Sequence, residues 1–356
     1  MKNVAIITGG DSAEYDISLL SADTVLKNLD RNKFNPYLIE IKNGIWKIKI
    51  DGKFYEIGND LFIKVKEIEM KFKKIAIIGK YPAAIESSEM NSQLIDLIEY
   101  LAKKDYELII EEKTQKKIKI TGFQSTPLHS IGAEADIAII IGGDGTMLGV
   151  ARSLLDDGIP MIGVNSGRFG FLADLNTKNM FASIDQVLNG NYDEDKRLLI
   201  ESKVYRDKKV IYESFALNDV VIKSGVRLIE LEVSINDKFV HTQRSDGIIV
   251  STPTGTTAYA LSAGGPILHP QLEALSIVPI NPHTLSNRPI AIDASSEIGI
   301  KIVQMEEASL SIDGQIKFPL DKRDKIQITK AKRTISILHP KDYCYFEMLR
   351  NKLHWG

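Results

Sequence analysis

The sequence predicts a parallel-sheet α/β region followed by a β-rich one, with a small α/β piece in front. Two observations carry this. Short, continuously apolar runs with glycine close behind recur at residues 2–7, 73–78 and 135–140, as buried parallel strands do. From about residue 200 the period becomes two. Ile229, Leu231, Val233 and Ile235 alternate with Glu230, Glu232 and Ser234, and Ile298, Ile300 and Ile302 do likewise, as do the pairs Ile326, Ile328 and Ile335, Ile337. Such runs form antiparallel strands with one wet face.

Each element follows in order. Residues 1–69 read as one β-α-β-like unit. Ala22, Val25, Leu26 and Leu29 mark one face of its helix, and short strands are expected near 37–41, 45–50 and 54–57. The charged connector 64–69 precedes Met70, where a new unit is expected to begin. Leu94, Leu97, Ile98 and Leu101 stripe its first helix; Met147, Val150, Ala151 and Leu154 stripe a later one, ended by Gly158 and Pro160. Residues 161–165 read as the next strand. The expected architecture is a Rossmann-like parallel-sheet domain over 70–200, a β-sandwich-type domain over 201–337, and a tail, 338–356, that packs back on the α/β part.

At 356 residues the chain is long enough for several cores. A net charge of −2 gives no support to nonspecific binding of nucleic acid or an anionic membrane. No apolar run reaches the roughly 20 residues of a membrane span, and no signal peptide is expected at the N-terminus. A single cysteine, Cys344, excludes an intrachain disulfide and fits a reducing, cytoplasmic setting. The six histidines lack metal-ligand spacing.

The chemistry starts at Gly142-Gly143-Asp144-Gly145-Thr146, a glycine loop between an apolar strand and a helix. Such loops cradle phosphate with backbone N–H groups and a helix N-terminus. A carboxylate there repels phosphate. It makes sense if it holds a cation, or takes the proton of a hydroxyl that a phosphoryl group will join. By itself the loop also fits a plain strand-to-helix turn. A dinucleotide-binding fingerprint is a further reading, but it wants an acidic residue ending the next strand, where this chain has Asn165. No Walker A loop, Gly-x-x-x-x-Gly-Lys-Ser/Thr, occurs. A second signal spans 244–266, dense in hydroxyls and glycines after an apolar strand. Hydroxyls and amides suit ribose and phosphate oxygens, and Tyr259 can stack on a base.

With these motifs, residues 70–356 resemble a bacterial NAD kinase. The resemblance rests on the glycine loop, Asn218-Asp219, Gln243-Arg244-Ser245-Asp246-Gly247, Thr252-Pro253-Thr254-Gly255-Thr256-Thr257-Ala258-Tyr259, Ser262-Ala263-Gly264-Gly265-Pro266 and the tail His339-Pro340-Lys341-Asp342-Tyr343. Residues 165–172 match a further stretch of that family. The glycine loop is shared with phosphofructokinases and lipid kinases; the element ending at Tyr259 is the restrictive one. The resemblance implies ATP-dependent phosphorylation of the adenosine ribose 2′-hydroxyl of NAD, with Asp144 as general base. It implies NAD contacts from Gly145, Asn218, Asp219, Arg227, Arg244, Asp246, Thr257, Ala258, Tyr259, Ala260, Leu261, Ser262 and Gln315, and a phosphate loop of Gly142, Gly143, Gly145 and Thr146. Many relatives carry glutamate where this chain has Asp219. Mg²⁺ or another divalent cation is expected with ATP or with polyphosphate in its place, as is a homodimer or homotetramer. The rival readings are a lipid or sugar kinase sharing the loop, and a noncatalytic NAD(P)-binding module.

Residues 7–19 resemble instead the opening of a D-alanine–D-alanine ligase, with Glu14 at the position that places the first D-alanine. The ATP-grasp domains of that family are absent, so no ligase activity is expected. Residues 1–69 stand either as a fused unit or as the product of an upstream start or a chimeric gene.

Overall fold

The computed structural model describes residues 2–10, 15–31, 33–50, 53–57, 66–67, 71–79, 88–104, 106–166, 170–177, 179–225, 227–284, 286–341 and 343–355. Asp11, Ser12, Ala13 and Glu14, most of the connector 64–69, Met70, residues 167–169 and Asp342 lie outside them. The chain divides into two compact units, Met1–Met70 and Lys71–Gly356.

In the first unit, β1 (Lys2–Gly9) and β2 (Phe34–Lys42) pair in parallel and are linked by α1 (Tyr15–Asn28). β3 (Ile45–Ile50), β4 (Lys53–Ile57) and β5 (Lys66–Glu67) then add antiparallel, giving a five-stranded sheet in chain order. Ser18 fastens the helix to β1, its hydroxyl lying 3.1 Å from Thr8 Oγ1 and accepting the Gly9 N–H at 2.9 Å. The expectation of a fully buried β1 does not hold: Ile7 is 57% exposed. Nor does the helix bury its whole expected stripe. Ala22 is buried, Leu26 and Leu29 are half-buried, and Val25 is exposed. Among the described residues α1 is the only helix of this unit, so one helix face covers what parallel sheets elsewhere cover twice.

The second unit begins with β6 (Lys74–Gly79), α2 (Ser88–Ala102), β7 (Glu107–Glu111), α3 (Glu112–Ile118), β8 (Gln124–Thr126), α4 (Leu128–Ile131), β9 (Ile137–Gly142), α5 (Asp144–Ser153), β10 (Met161–Asn165), β11 (Leu175–Asn176) and α6 (Met180–Leu188). β8, β7, β6, β9 and β10 lie side by side in parallel. Helices cover both faces. Ile75, Ile77, Ile137 and Ile139 meet Leu94, Leu97, Ile98 and Leu101 of α2 on one side. Ile78, Ala138 and Ile140 meet Met147, Val150 and Ala151 of α5 and its C-cap Leu154 on the other.

The β-rich part comprises β12 (Tyr192–Arg206), β13 (Lys209–Ala216), β14 (Asp219–Ser224), β15 (Ile229–Ile235), β16 (Lys238–Ser245) and β17 (Gly247–Ser251), a 3-10 turn (Thr254–Thr257) and α7 (Tyr259–Ser262), then β18 (Ala274–Ile280), β19 (Ile290–Asp293), β20 (Ile298–Gln304), β21 (Ala308–Ile312), β22 (Ile316–Leu320) and β23 (Lys325–Pro340). One six-stranded sheet, β19-β18-β17-β14-β21-β22, packs on strands of the larger sheet. The alternating residues Leu231, Val233, Ile300 and Ile328 meet Val220, Ile222, Ile248 and Leu310 between them. The expected boundary at 200 falls inside β12. Moreover β23, 16 residues long, pairs with β10 at Ile337 and with β20 at Ile328. One 12-stranded sheet therefore runs through both halves. The tail forms α8 (Tyr345–Leu353), with Met348 and Leu349 buried and the Lys352 ammonium 5.6 Å from the Phe171 ring.

Candidate active site

Asp144 is the first residue of α5, at the C-terminal edge of the parallel strands. That is where open α/β sheets bind ligands. Its carboxylate is held by three backbone amides. Phe171 donates to Oδ2 at 2.8 Å; Leu172 and Ala173 donate to Oδ1 at 2.9 and 3.2 Å. A carboxylate offers about four lone-pair sites; among the described residues Oδ1 has two donors and Oδ2 one. The glycines follow from close approach. A β-carbon at Gly170 would overlap Asp144 Oδ1, and one at Gly142 would sit 2.5 Å from Thr146 Oγ1. Gly143 is half-buried and Gly145 is exposed.

A cavity of about 540 Å³ lies beside the end of β14, lined by Asn218, Asp219, Ala258, Tyr259, Asp313 and Lys317 among others. Its turn geometry again needs glycine: a β-carbon at Gly255 would overlap the Asn218 carbonyl. Asp219 is buried at 4% exposure. Burial, then the nearby Asp313 carboxylate, pushes its pKa up to about 7. Burial likewise raises Asp313, against the amides of Asn218, Asp219 and Leu217 and the Arg152 guanidinium, which lower it.

Asp313 and Arg152 escaped the sequence reading, and they join the two parts of the site. Asp313 and Gly314 both have positive φ and turn the β21–β22 hairpin, closed by the Gln315 N–H on the Ile312 carbonyl. Asp313 Oδ1 accepts the N–H of Asn218 at 2.7 Å and of Asp219 at 3.1 Å. Arg152 of α5 pairs with Asp313 and donates to Gln315 Oε1. Gln315 Nε2 in turn donates to the Gly145 carbonyl at 2.5 Å. Gly145, Gly149 and Arg152 share one face of α5 at i, i+4 and i+7, the face that meets Gln315. The Asp-Gly dipeptide beside Gln315 was the available signal for Asp313. Lys223 and Lys317, also on the cavity wall, had none.

The other expected site residues separate. Asp144, Gly145 and Gln315 stand outside the cavity lining; Gln315 directly follows Gly314, which lines it, and bonds the Gly145 carbonyl beside Asp144. Arg227, Arg244 and Asp246 do not line it either. Arg227 is exposed and pairs with Glu306 at 2.6 Å, Arg244 is exposed at the end of β16, and Asp246 accepts from Asn281 at 2.9 Å. Thr257 is half-buried and donates to the Thr254 carbonyl at 3.2 Å. Ala260 is fully buried against Val221, Ile249 and Val278, so it is a core residue; the one-turn helix α7 rolls it inward. Leu261 and Ser262 continue α7 away from the lining. Of residues 165–172, Asn165 donates to the Ala173 carbonyl at 3.2 Å.

Comparison with known proteins identifies the family and the fold. Residues 83–192 match the ATP-NAD kinase N-terminal domain family and residues 217–339 the ATP-NAD kinase C-terminal domain family. The NAD kinase of Thiobacillus denitrificans is 42% identical over 291 residues, 81% of this chain and 99% of that protein. That of Cupriavidus pinatubonensis is 43% identical over 294 residues, 82% and 95% respectively. The crystal structure of yeast NADH kinase complexed with NADH has the same fold, with a TM-score of 0.73 at 23% identity, covering 82% of this chain and 93% of that one. With relatives above 40% identity matched almost end to end, the chain belongs to the NAD kinase family.

Proposed function

We propose that Asp144 is the general base of an ATP-dependent phosphorylation of NAD to NADP carried out by this chain. The observation that carries the assignment is its carboxylate, fixed by three amides, of which only one falls on Oδ2 among the described residues. Asp144 Oδ2 takes the proton of the adenosine ribose 2′-hydroxyl. The ribose oxygen bonds to the γ-phosphorus as the bond to ADP breaks. A secondary alcohol is a weak nucleophile at neutral pH, and a positioned base is worth roughly 10²–10⁴ in rate. The dinucleotide would lie in the cavity at Asn218 and Asp219, with Tyr259 against a ring. Near pH 7 a protonated Asp219 can donate a hydrogen bond to it, which an ionised carboxylate cannot.

The divalent cation that accompanies ATP is read as Mg²⁺, which keeps phosphate oxygens and water and needs few protein ligands. Among the described residues no three His, Cys, Asp or Glu side chains come together as a protein cage, so the triphosphate would carry it. Bound there it would offset charge on the transferring phosphoryl group.

No helix of the described residues is long and apolar enough to cross a membrane. A cytoplasmic location and a homodimer or homotetramer are part of the same reading, the latter checked by light scattering. The function is tested by incubating the chain with NAD and γ-labelled ATP. Label in NADP is expected. Label in a lipid or sugar with none in NADP would overturn the reading, as would NAD binding without ATP consumption.

A further inference from the structure

A buried polar cluster stands behind the glycine loop, in a part of the tail motif that the reaction leaves unexplained. His339 is 1% exposed and Arg197 2%. His339 Nδ1 is 2.7 Å from Asp174 Oδ2, and its Nε2 is 3.7 Å from Asp195 Oδ2. Arg197 donates to that Asp195 oxygen at 2.8 Å and to Thr254 Oγ1 at 3.2 Å. Tyr343 stacks on the imidazole at 3.9 Å, and Tyr345 of α8 feels the charges of Arg197 and Asp195. Burial opposes a charge on His339, but the Asp174 and Asp195 carboxylates outweigh it and raise its pKa. Buried ions are costly unless fully paired, so their place in the fold needs a reason.

Their neighbours supply one. Asp174 directly follows Phe171, Leu172 and Ala173, whose amides hold Asp144. Thr254 opens the turn that leads to Tyr259 on the cavity wall. The cluster thus ties the loop around Asp144 to the substrate segment. We propose that His339 and Asp174 are positioning residues for the phosphoryl transfer, fixing the 171–173 amides and through them the aim of the Asp144 carboxylate. This rests on Asp144 being the base.

The test is steady-state kinetics on the full chain. His339→Ala should lower kcat about ten- to a hundredfold, the range for losing a charge-assisted hydrogen bond. KM for NAD and ATP should stay within roughly twofold, since ground-state binding is untouched. His339→Asn keeps an N–H donor near the Nδ1 position and should restore most of kcat. In an Asp144→Asn background His339→Ala should cost nothing further, because both act through one group. An unchanged kcat in His339→Ala, or losses that multiply in the double variant, would overturn the proposal. Should His339→Ala fail to fold, His339→Asn and Asp174→Asn decide. The proposal then expects Asp174→Asn to lose kcat while His339→Asn keeps most of it, and wild-type kcat in both contradicts it. Normal turnover in Asp144→Asn would instead sink the base assignment itself. A large loss there with none in the His339 and Asp174 variants would sink only the positioning role.

Discussion

Asp144 is legible in sequence because it is out of place: a carboxylate in a loop shaped for phosphate. Its three amide donors were not, since they come from residues 27 to 29 positions later and no local pattern announces them. Asp219 is the converse case. The dipeptide was readable, but its pKa was not, because burial and a carboxylate 94 residues away set it. That shift makes a prediction. Asp219 has a folded-state pKa near 7, above its unfolded value. Its contribution to stability is therefore fully present below about pH 4, and is lost as pH rises through about 7. Asp219→Asn should raise Tm at pH 8, with the gain shrinking towards pH 5. A gain that grows on acidification would contradict the shift.

At the scale of elements, the strands and helices of the second unit follow from period and glycine placement. Contacts between elements do not. Arg152 and Asp313 lie 161 residues apart, and only the fold shows that α5 and the β21–β22 hairpin meet. The same holds for Ala260, which the substrate motif suggested as a contact and the short helix turns into the core. The pair also predicts an energetic cost. The Asp313 side chain is fully buried and that of Arg152 is 14% exposed. Arg152→Ala removes the cation from a buried carboxylate that keeps its amide donors, a loss of about 1.5 to 3 kcal/mol, the range for a hydrogen bond to a charged group. Urea unfolding should register it, and KM for NAD should rise because Asp313 holds the amides of Asn218 and Asp219. Unaltered stability would mean that the pair is a solvent-screened contact.

For the whole molecule, the change of period near residue 200 read correctly as a change from parallel to antiparallel strands. It did not reveal that β12 runs through that boundary, and β23 through the one expected at 337, each as a single strand, because a strand's length along a sheet is set by partners far away in the chain. The two compact units give a prediction at this scale. Both family matches and every residue assigned to the reaction lie in Lys71–Gly356. A chain of residues 71–356 should fold and form NADP at the full-length rate; collapse would make the first unit integral. The most direct test of the account is Asp144→Asn. NADP formation should fall by about 10²–10⁴, while NAD binding measured by calorimetry stays near the wild-type value. Turnover at the wild-type rate in that variant would contradict the assignment of Asp144 as the base.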